Sequence, residues 1–226
     1  MRNSPRCMLI LDFDGVLAHT EPVHFASWNA TFEEFAGVQK SGDHAQLVGL
    51  TLNEIFAHWL PDGELTPAQK TELLKRKTAR YFDIAAQQLT LTEGSIELIH
   101  QARDRGWYVG IASRALRLRL LKTLEIIGLP ATIDVIMGSE DVVDAQTDRK
   151  IHTRAAHVFG IEPARCIVIE DSASGVRDAR ASGIPAVIGL TTSLTSEALY
   201  SAGAQHVIDH MSAFPTSIFA DIEGKT

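Results

Sequence analysis

The sequence predicts an α/β fold: a parallel β-sheet covered by helices on both faces, interrupted after its first strand by a helical insert. Short apolar runs rich in β-branched residues recur between turn residues, and amphipathic helical patterns fill the intervals between them. Residues 18–92 depart from this alternation, with three helical segments and no run that reads as a strand.

The expected strands are Met8 to Phe13, Tyr108 to Ala112, Ile133 to Met137, Cys166 to Ile169, Ala186 to Leu190 and a weaker His206 to Ile208. Their apolarity is continuous rather than alternating, as it must be where both faces of a sheet are covered. Between strands, Leu116, Leu120, Leu124 and Ile127 form one apolar helical face, with Arg117, Arg119, Lys122 and Glu125 on the other and Gly128 and Pro130 closing the helix. Within the insert, Phe25, Trp28, Phe32 and Phe35 form one stripe, Ile55, Trp59 and Leu60 a second, and Leu73, Leu74, Lys77 and Tyr81 a third. Such stripes read as core. Pro61, Asp62 and Gly63 separate the second helix from the third, and Thr92 to Ser95 returns the chain to the sheet.

The chain has 226 residues, 45% hydrophobic and 22% charged, a composition that suits one domain, or a domain carrying an insert. A net charge of -7 provides no electrostatic footprint for nucleic acid or for an anionic membrane. Cys7 and Cys166 adjoin apolar strands and read as core residues rather than a disulfide framework. No apolar stretch approaches the ~20 residues that span a bilayer, so a cytoplasmic protein is expected.

In open parallel sheets, ligands gather beyond the carboxyl ends of the strands. There the first strand runs into Asp12-Phe13-Asp14-Gly15, with two carboxylates on one side of an extended chain and a glycine that permits an abrupt turn. The fourth runs into Glu170-Asp171-Ser172, followed by a helix starting near Ser174 and Gly175. Crowding Asp12, Asp14, Glu170 and Asp171 at one edge is costly unless a cation neutralises them. A hard cation fits oxygen ligands, and magnesium fits better than zinc because no set of nitrogen and sulfur ligands accompanies them.

The stretch Asp12-Phe13-Asp14-Gly15-Val16-Leu17, followed by Thr20-Glu21-Pro22 and His24, and later Ile169-Glu170-Asp171-Ser172 with Gly175, resembles the haloacid dehalogenase superfamily. The insert is similar to that of its β-phosphoglucomutase and phosphoglycolate phosphatase branch. The resemblance spans nearly the whole chain. It implies a Rossmann-like core over residues 1–17 and 93–226, an α-helical cap over residues 18–92, and an aspartyl-phosphate intermediate. It further implies Asp12 as nucleophile, Asp14 as general acid and base, and Ser113 as a phosphate-binding hydroxyl. Magnesium would be held by Asp12, the Asp14 carbonyl and Asp171, with Glu170 acting directly or through water. His24 would act near the acid and base residue, and Thr20 would begin the cap linker.

The sequence also departs from that family. The usual Lys-Pro-x-Pro-Asp stretch is absent: Gln146 stands at the lysine position, with Arg149 and Lys150 at the later Pro and Asp positions. Phosphoryl transfer still requires positive charge, and Lys150 is the candidate, with Arg149 as substitute. Arg114 stands where small or amide residues are common and is a candidate for a substrate anion. Leu52 occupies the place of a mutase arginine that grips a second phosphate. The expected activity is therefore magnesium-dependent hydrolysis of a small phosphomonoester, a sugar phosphate or a short phosphorylated acid. The alternatives are a phosphomutase of the β-phosphoglucomutase type and a non-catalytic binding protein on the same fold.

Overall fold

A computed structural model describes residues 6–42, 47, 51–60, 65–142 and 151–224. Along the chain the first elements are β1 (Met8–Leu11), α1 (Thr20–Ala36), α2 (Leu52–Trp59), α3 (Pro67–Gln88), α4 (Ser95–Asp104), β2 (Tyr108–Ala112) and α5 (Arg117–Ile127). They are followed by β3 (Val135–Met137), α6 (Ile151–His157), β4 (Cys166–Glu170), α7 (Ala173–Ala181), β5 (Ala186–Leu190), α8 (Ser196–Ala202), β6 (His206–Ile208) and α9 (Ser217–Glu223). The chain divides into two compact units, Met1–Ala18 with Leu91–Thr226, and His19–Thr90.

The first unit is a six-stranded sheet of order β3-β2-β1-β4-β5-β6 in which every neighbouring pair is parallel. This is the expected α/β fold with a Rossmann-like core. The order reverses direction at β1 and β4, so the crevice for a ligand lies beyond their carboxyl ends. Leu11 pairs with Ile169 in that ladder, which brings the next residues, Asp12 and Glu170, side by side at the edge.

Both faces of the sheet are covered. Leu9 and Leu11 of β1 pack on one side with Leu98 and Ile99 of α4, Leu120 and Leu124 of α5, and Phe219 of α9. Met8 and Ile10 pack on the other with Ile151 and Ala155 of α6, Val176 of α7 and Leu199 of α8. Each fully buried aliphatic side chain contributes about 1.5–3 kcal/mol. The unbroken apolarity of β1 is thus the signature of a central strand.

Several boundaries differ from the sequence expectation. The first strand ends at Leu11 rather than Phe13, because Leu17 and Ala18 donate their N–H groups to the Phe13 carbonyl and curl the chain into a turn. β3 begins at Val135 rather than Ile133, and the Asp134 carboxylate instead accepts the Val109 N–H at 2.8 Å. In α5, Leu120 and Leu124 are fully buried as expected, whereas Leu116 is 62% exposed. Leu116 sits at the N-cap with extended backbone, outside the helical face that its spacing suggested.

The second unit is helical in its described residues, built on α1, α2 and α3. Trp28 and Phe32 of α1, Phe56 and Trp59 of α2 and Leu73 of α3 form its core, with Phe32 and Trp59 stacked at a centroid distance of 5.4 Å. The Trp59 indole is satisfied by Asn29 Oδ1 at 3.0 Å. Capping boxes start two of the helices: Thr51 with Glu54 opens α2, and Thr66 with Gln69 opens α3, where Pro67 at the first position needs no hydrogen-bond acceptor.

Candidate active site

The first carboxylates stand where β1 leaves the sheet. Asp12 still donates its N–H to the Ile169 carbonyl at 3.1 Å, which fixes its backbone against β4. Phe13 is fully buried between the two partly exposed aspartates, as an alternating chain requires. Gly15 then takes a left-handed φ of 75°, and its N–H donates to the Ala18 carbonyl at 2.9 Å. A Cβ at this position would overlap the Asp171 carboxylate, so glycine is needed for both backbone conformation and space.

The second pair stands at the end of β4. Glu170 and Asp171 are each only 4% exposed. Glu170 accepts from Ser172 Oγ at 3.2 Å on one oxygen and lies 3.1 Å from His152 Nε2 on the other. Ser172 also caps α7 by accepting the Gly175 N–H at 3.0 Å, and a Cβ at Gly175 would collide with the Glu170 carboxylate. Asp171 accepts hydrogen bonds from Ser193 Oγ and from Thr192 Oγ1 at 3.3 Å, while Thr192 also donates to the Gly15 carbonyl at 2.7 Å. The loop after β5 therefore ties the first and fourth strand ends together.

One carboxylate oxygen from each of Asp12, Glu170 and Asp171 lies within 4.8 Å of the others. Their proximity is electrostatically unfavourable. Desolvation, followed by the charges of Glu170, Asp171 and Asp14, holds the Asp12 carboxyl well above its usual range. Burial and then Asp171 push Glu170 up to about 8. Burial pushes Asp171 up to about 6 against the hydrogen bonds from Ser193 and Thr192. The group can relax by taking up protons or by binding a divalent cation, and a buried all-oxygen set of acids suits a hard cation.

Burial also lowers His152 to about 4, so its 3.1 Å contact with Glu170 is a hydrogen bond involving a neutral imidazole rather than an ion pair. Its Nδ1 is buried without a hydrogen-bond partner. Donation from Nε2 leaves Nδ1 as a bare lone pair, the less costly way to bury the ring.

Asp14 meets Arg119 of α5, whose two terminal nitrogens each donate to one carboxylate oxygen, Nη1 to Oδ1 at 2.8 Å and Nη2 to Oδ2. This corrects the placement of Arg119 on a solvent face: its side chain is 18% exposed. Ser113 lies at the end of β2, is buried, and accepts the Ala115 N–H at 3.4 Å on Oγ. The N-cap of the following helix is Leu116, so Ser113 does not cap it. Arg114 is exposed and pairs with Asp178 of α7 at 3.1 Å.

In the helical unit, Thr20 begins α1 and is buried. His24 stacks on Tyr81 at 4.6 Å, and its Nδ1 contacts Lys77 Nζ. The Lys77 ammonium also lies over the Trp28 and Tyr81 rings at 5.4 and 5.2 Å, so a residue expected in an apolar stripe carries its charge on aromatic faces. Lys150 and Arg149 lie outside the described residues.

Sequence reasoning passed over Arg119, His152, Thr192 and Ser193. His152 had a visible signal, a polar residue among the buried positions Ile151, Ala155 and Ala156 of one short helix. The hydroxyl run Thr191-Thr192-Ser193 directly follows a strand and could have been assigned to the same carboxyl edge. Nothing in the periodicity around Arg119 distinguished it from its basic neighbours.

A doubly covered parallel sheet with carboxylates clustered beyond its switch point is a Rossmann-like core with its ligand site at the strand ends. The sequence model of the haloacid dehalogenase-like hydrolases matches residues 9–188, and the chain belongs to that family. It is 32% identical to the protein CbbY of Rhodobacter capsulatus over 80% of this chain and 83% of that protein. It is 24% identical to a phosphorylated carbohydrates phosphatase of Thermotoga maritima, over 87% of this chain and 91% of that one. Among solved structures, CbbY from Rhodobacter sphaeroides in complex with phosphate superimposes with a TM-score of 0.74 at 26% identity, covering 91% and 95% of the two chains. The enzyme class expected from the sequence, a haloacid dehalogenase-like hydrolase of phosphoric monoesters, is the class to which such named phosphatases belong. Among the described residues no helix is long and apolar enough to cross a membrane.

Proposed function

We propose that this chain is a magnesium-dependent phosphatase of small sugar phosphates that works through an aspartyl-phosphate on Asp12. The observation that carries the reading is the convergence of Asp12, Glu170 and Asp171 oxygens within 4.8 Å, beside Asp14. The sugar phosphate as substrate rests on the names of the relatives, CbbY and the phosphorylated carbohydrates phosphatase.

Magnesium, held by Asp12, Asp171, the Asp14 carbonyl and Glu170, would supply charge that offsets the acids and a substrate phosphate. An Asp12 carboxylate oxygen attacks phosphorus, and the bond from phosphorus to the ester oxygen breaks. Protonated Asp14 delivers its proton to the departing alkoxide, which leaves as an alcohol. Asp14, now ionised, takes a proton from water; the resulting hydroxide attacks phosphorus and breaks the bond to Asp12. Inorganic phosphate leaves and both aspartates return to their starting states. Ser113 donates to a phosphoryl oxygen, with Lys150 or Arg149 supplying further positive charge. Thr20, His24 and Arg114 are assigned to substrate recognition.

Hydrolysis is favoured over phosphomutation by Leu52, an apolar residue that offers no charge to a second phosphate at the start of α2. The test is phosphate release from a panel of phosphorylated sugars during magnesium titration, with Asp12→Asn alongside. Magnesium-dependent release by wild type alone supports the reading. Wild-type release no greater than that of the variant would sink it, and isomerisation that requires a bisphosphate primer would establish the mutase instead.

A further inference from the structure

The placement of Arg119 is unusual for an arginine. It lies in the first turn of α5, which contains no acidic residue, so the helix dipole opposes a cation there. Its side chain is nevertheless drawn largely out of solvent, to 18% exposure. Both placements are unfavourable for a solvated surface arginine and are offset by the two-pronged contact with Asp14. The neighbouring arginines of this segment are engaged elsewhere: Arg117 donates Nε to the Ile136 carbonyl at 3.2 Å and pairs with Asp141 at 3.1 Å, and Arg114 pairs with Asp178.

The backbone of Asp14 is already held, since residue 14 bridges to Ala18 and the next residue is the constrained Gly15. The side-chain torsion is a separate matter, and a planar fork gripping both oxygens constrains it. A lysine could offset charge as a point cation but could not orient both oxygens in this way.

We propose that Arg119 is the positioning residue for Asp14, orienting its ionised carboxylate to take the proton from water in the second half of the reaction. This inference rests on the phosphatase reading, in which Asp14 is the acid and base. It makes a distinction that a purely structural arginine would not. An aryl phosphate with a good leaving group scarcely needs the acid, so Asp12 should still be phosphorylated when Arg119 is lost. Breakdown of the aspartyl-phosphate needs the base and should slow, so the covalent intermediate should accumulate.

The experiment compares wild type, Arg119→Gln and Arg119→Lys with an aryl and an alkyl phosphate, measuring turnover and the acid-quenched phosphoenzyme, with thermal melting to confirm folding. For Arg119→Gln, turnover of the alkyl ester should fall by about 100-fold, the lower end of what acid–base catalysis supplies, and the phosphoenzyme fraction with the aryl ester should rise. Arg119→Lys should show the same pattern less strongly, and it decides the matter if the glutamine variant does not fold. Wild-type turnover in the folded variants, or equal losses in formation and breakdown with no rise in phosphoenzyme, overturns the inference alone. A wild type that hydrolyses neither ester overturns the phosphatase reading and the inference with it.

Discussion

The Asp171 carboxylate occupies the space that a side chain at Gly15 would need. A turn that ends the first strand and an acid that ends the fourth are thereby packed into one another, with Thr192 bonded to both at 2.7 and 3.3 Å. Gly15→Ala should displace Asp171 and strain a backbone whose φ is 75°. The expected cost is about 1–3 kcal/mol from backbone strain alone, read by denaturant unfolding, together with weakened magnesium binding by calorimetry. A variant of unchanged stability and affinity would show that the two segments can separate freely.

Asp171 also predicts a pH dependence. Its folded value of about 6 lies above the unfolded 3.8, so the folded state holds the proton more tightly. The stabilisation from that group is complete below the unfolded value and is lost as pH rises through the folded one. In the absence of metal, Asp171→Asn should gain stability relative to wild type between acid and neutral pH, by up to about 3 kcal/mol. Melting of both proteins across that range with chelator present is the measurement. A stability difference constant with pH would remove the basis for the prediction.

Asp12 sits where desolvation and three other acids oppose its charge. Asp12→Asn should therefore raise the melting temperature of the metal-free protein at neutral pH while abolishing formation of a phosphoenzyme. An unaltered or lower melting temperature would indicate that the cluster is already relaxed by protonation.

His152 holds one oxygen of Glu170 at 3.1 Å and spends no hydrogen bond on its other nitrogen. In His152→Phe, a ring of comparable size removes the donor and the buried lone pair together. Magnesium affinity should fall about 10- to 100-fold, as for other groups that orient a metal ligand, with a stability cost of about 1–3 kcal/mol from the Glu170 oxygen left without its partner. Unchanged affinity by calorimetry would mean that Ser172 and the Gly175 contact alone orient Glu170.

How much of this was legible in the chain depends on the range of the physics involved. Burial on both faces leaves an unbroken apolar run, and β1 and β4 were readable as central strands for that reason. Asp12, Asp14, Glu170 and Asp171 follow strand ends directly, so their residence at one edge was a consequence of strand position. The helical stripes of the insert were readable from spacing, as Trp28, Phe32 and Trp59 demonstrate. By itself the sequence thus determined the sheet, the helical unit and the gathering of the acids.

Tertiary structure decided which side chains answer those acids. Arg119 is separated from Asp14 by 105 residues, and its reach to the carboxylate depends on how α5 leaves β2, which local periodicity does not encode. His152 meets Glu170 because α6 packs on the sheet face over β1, β2 and β3, in the same core as Val168 of β4, and Ser193 meets Asp171 because β5 pairs with β4. Charge compensation acts through space between elements distant in sequence. The acids could therefore be read from the chain, while Arg119 and His152 emerged as their partners only once the strands and helices were assembled.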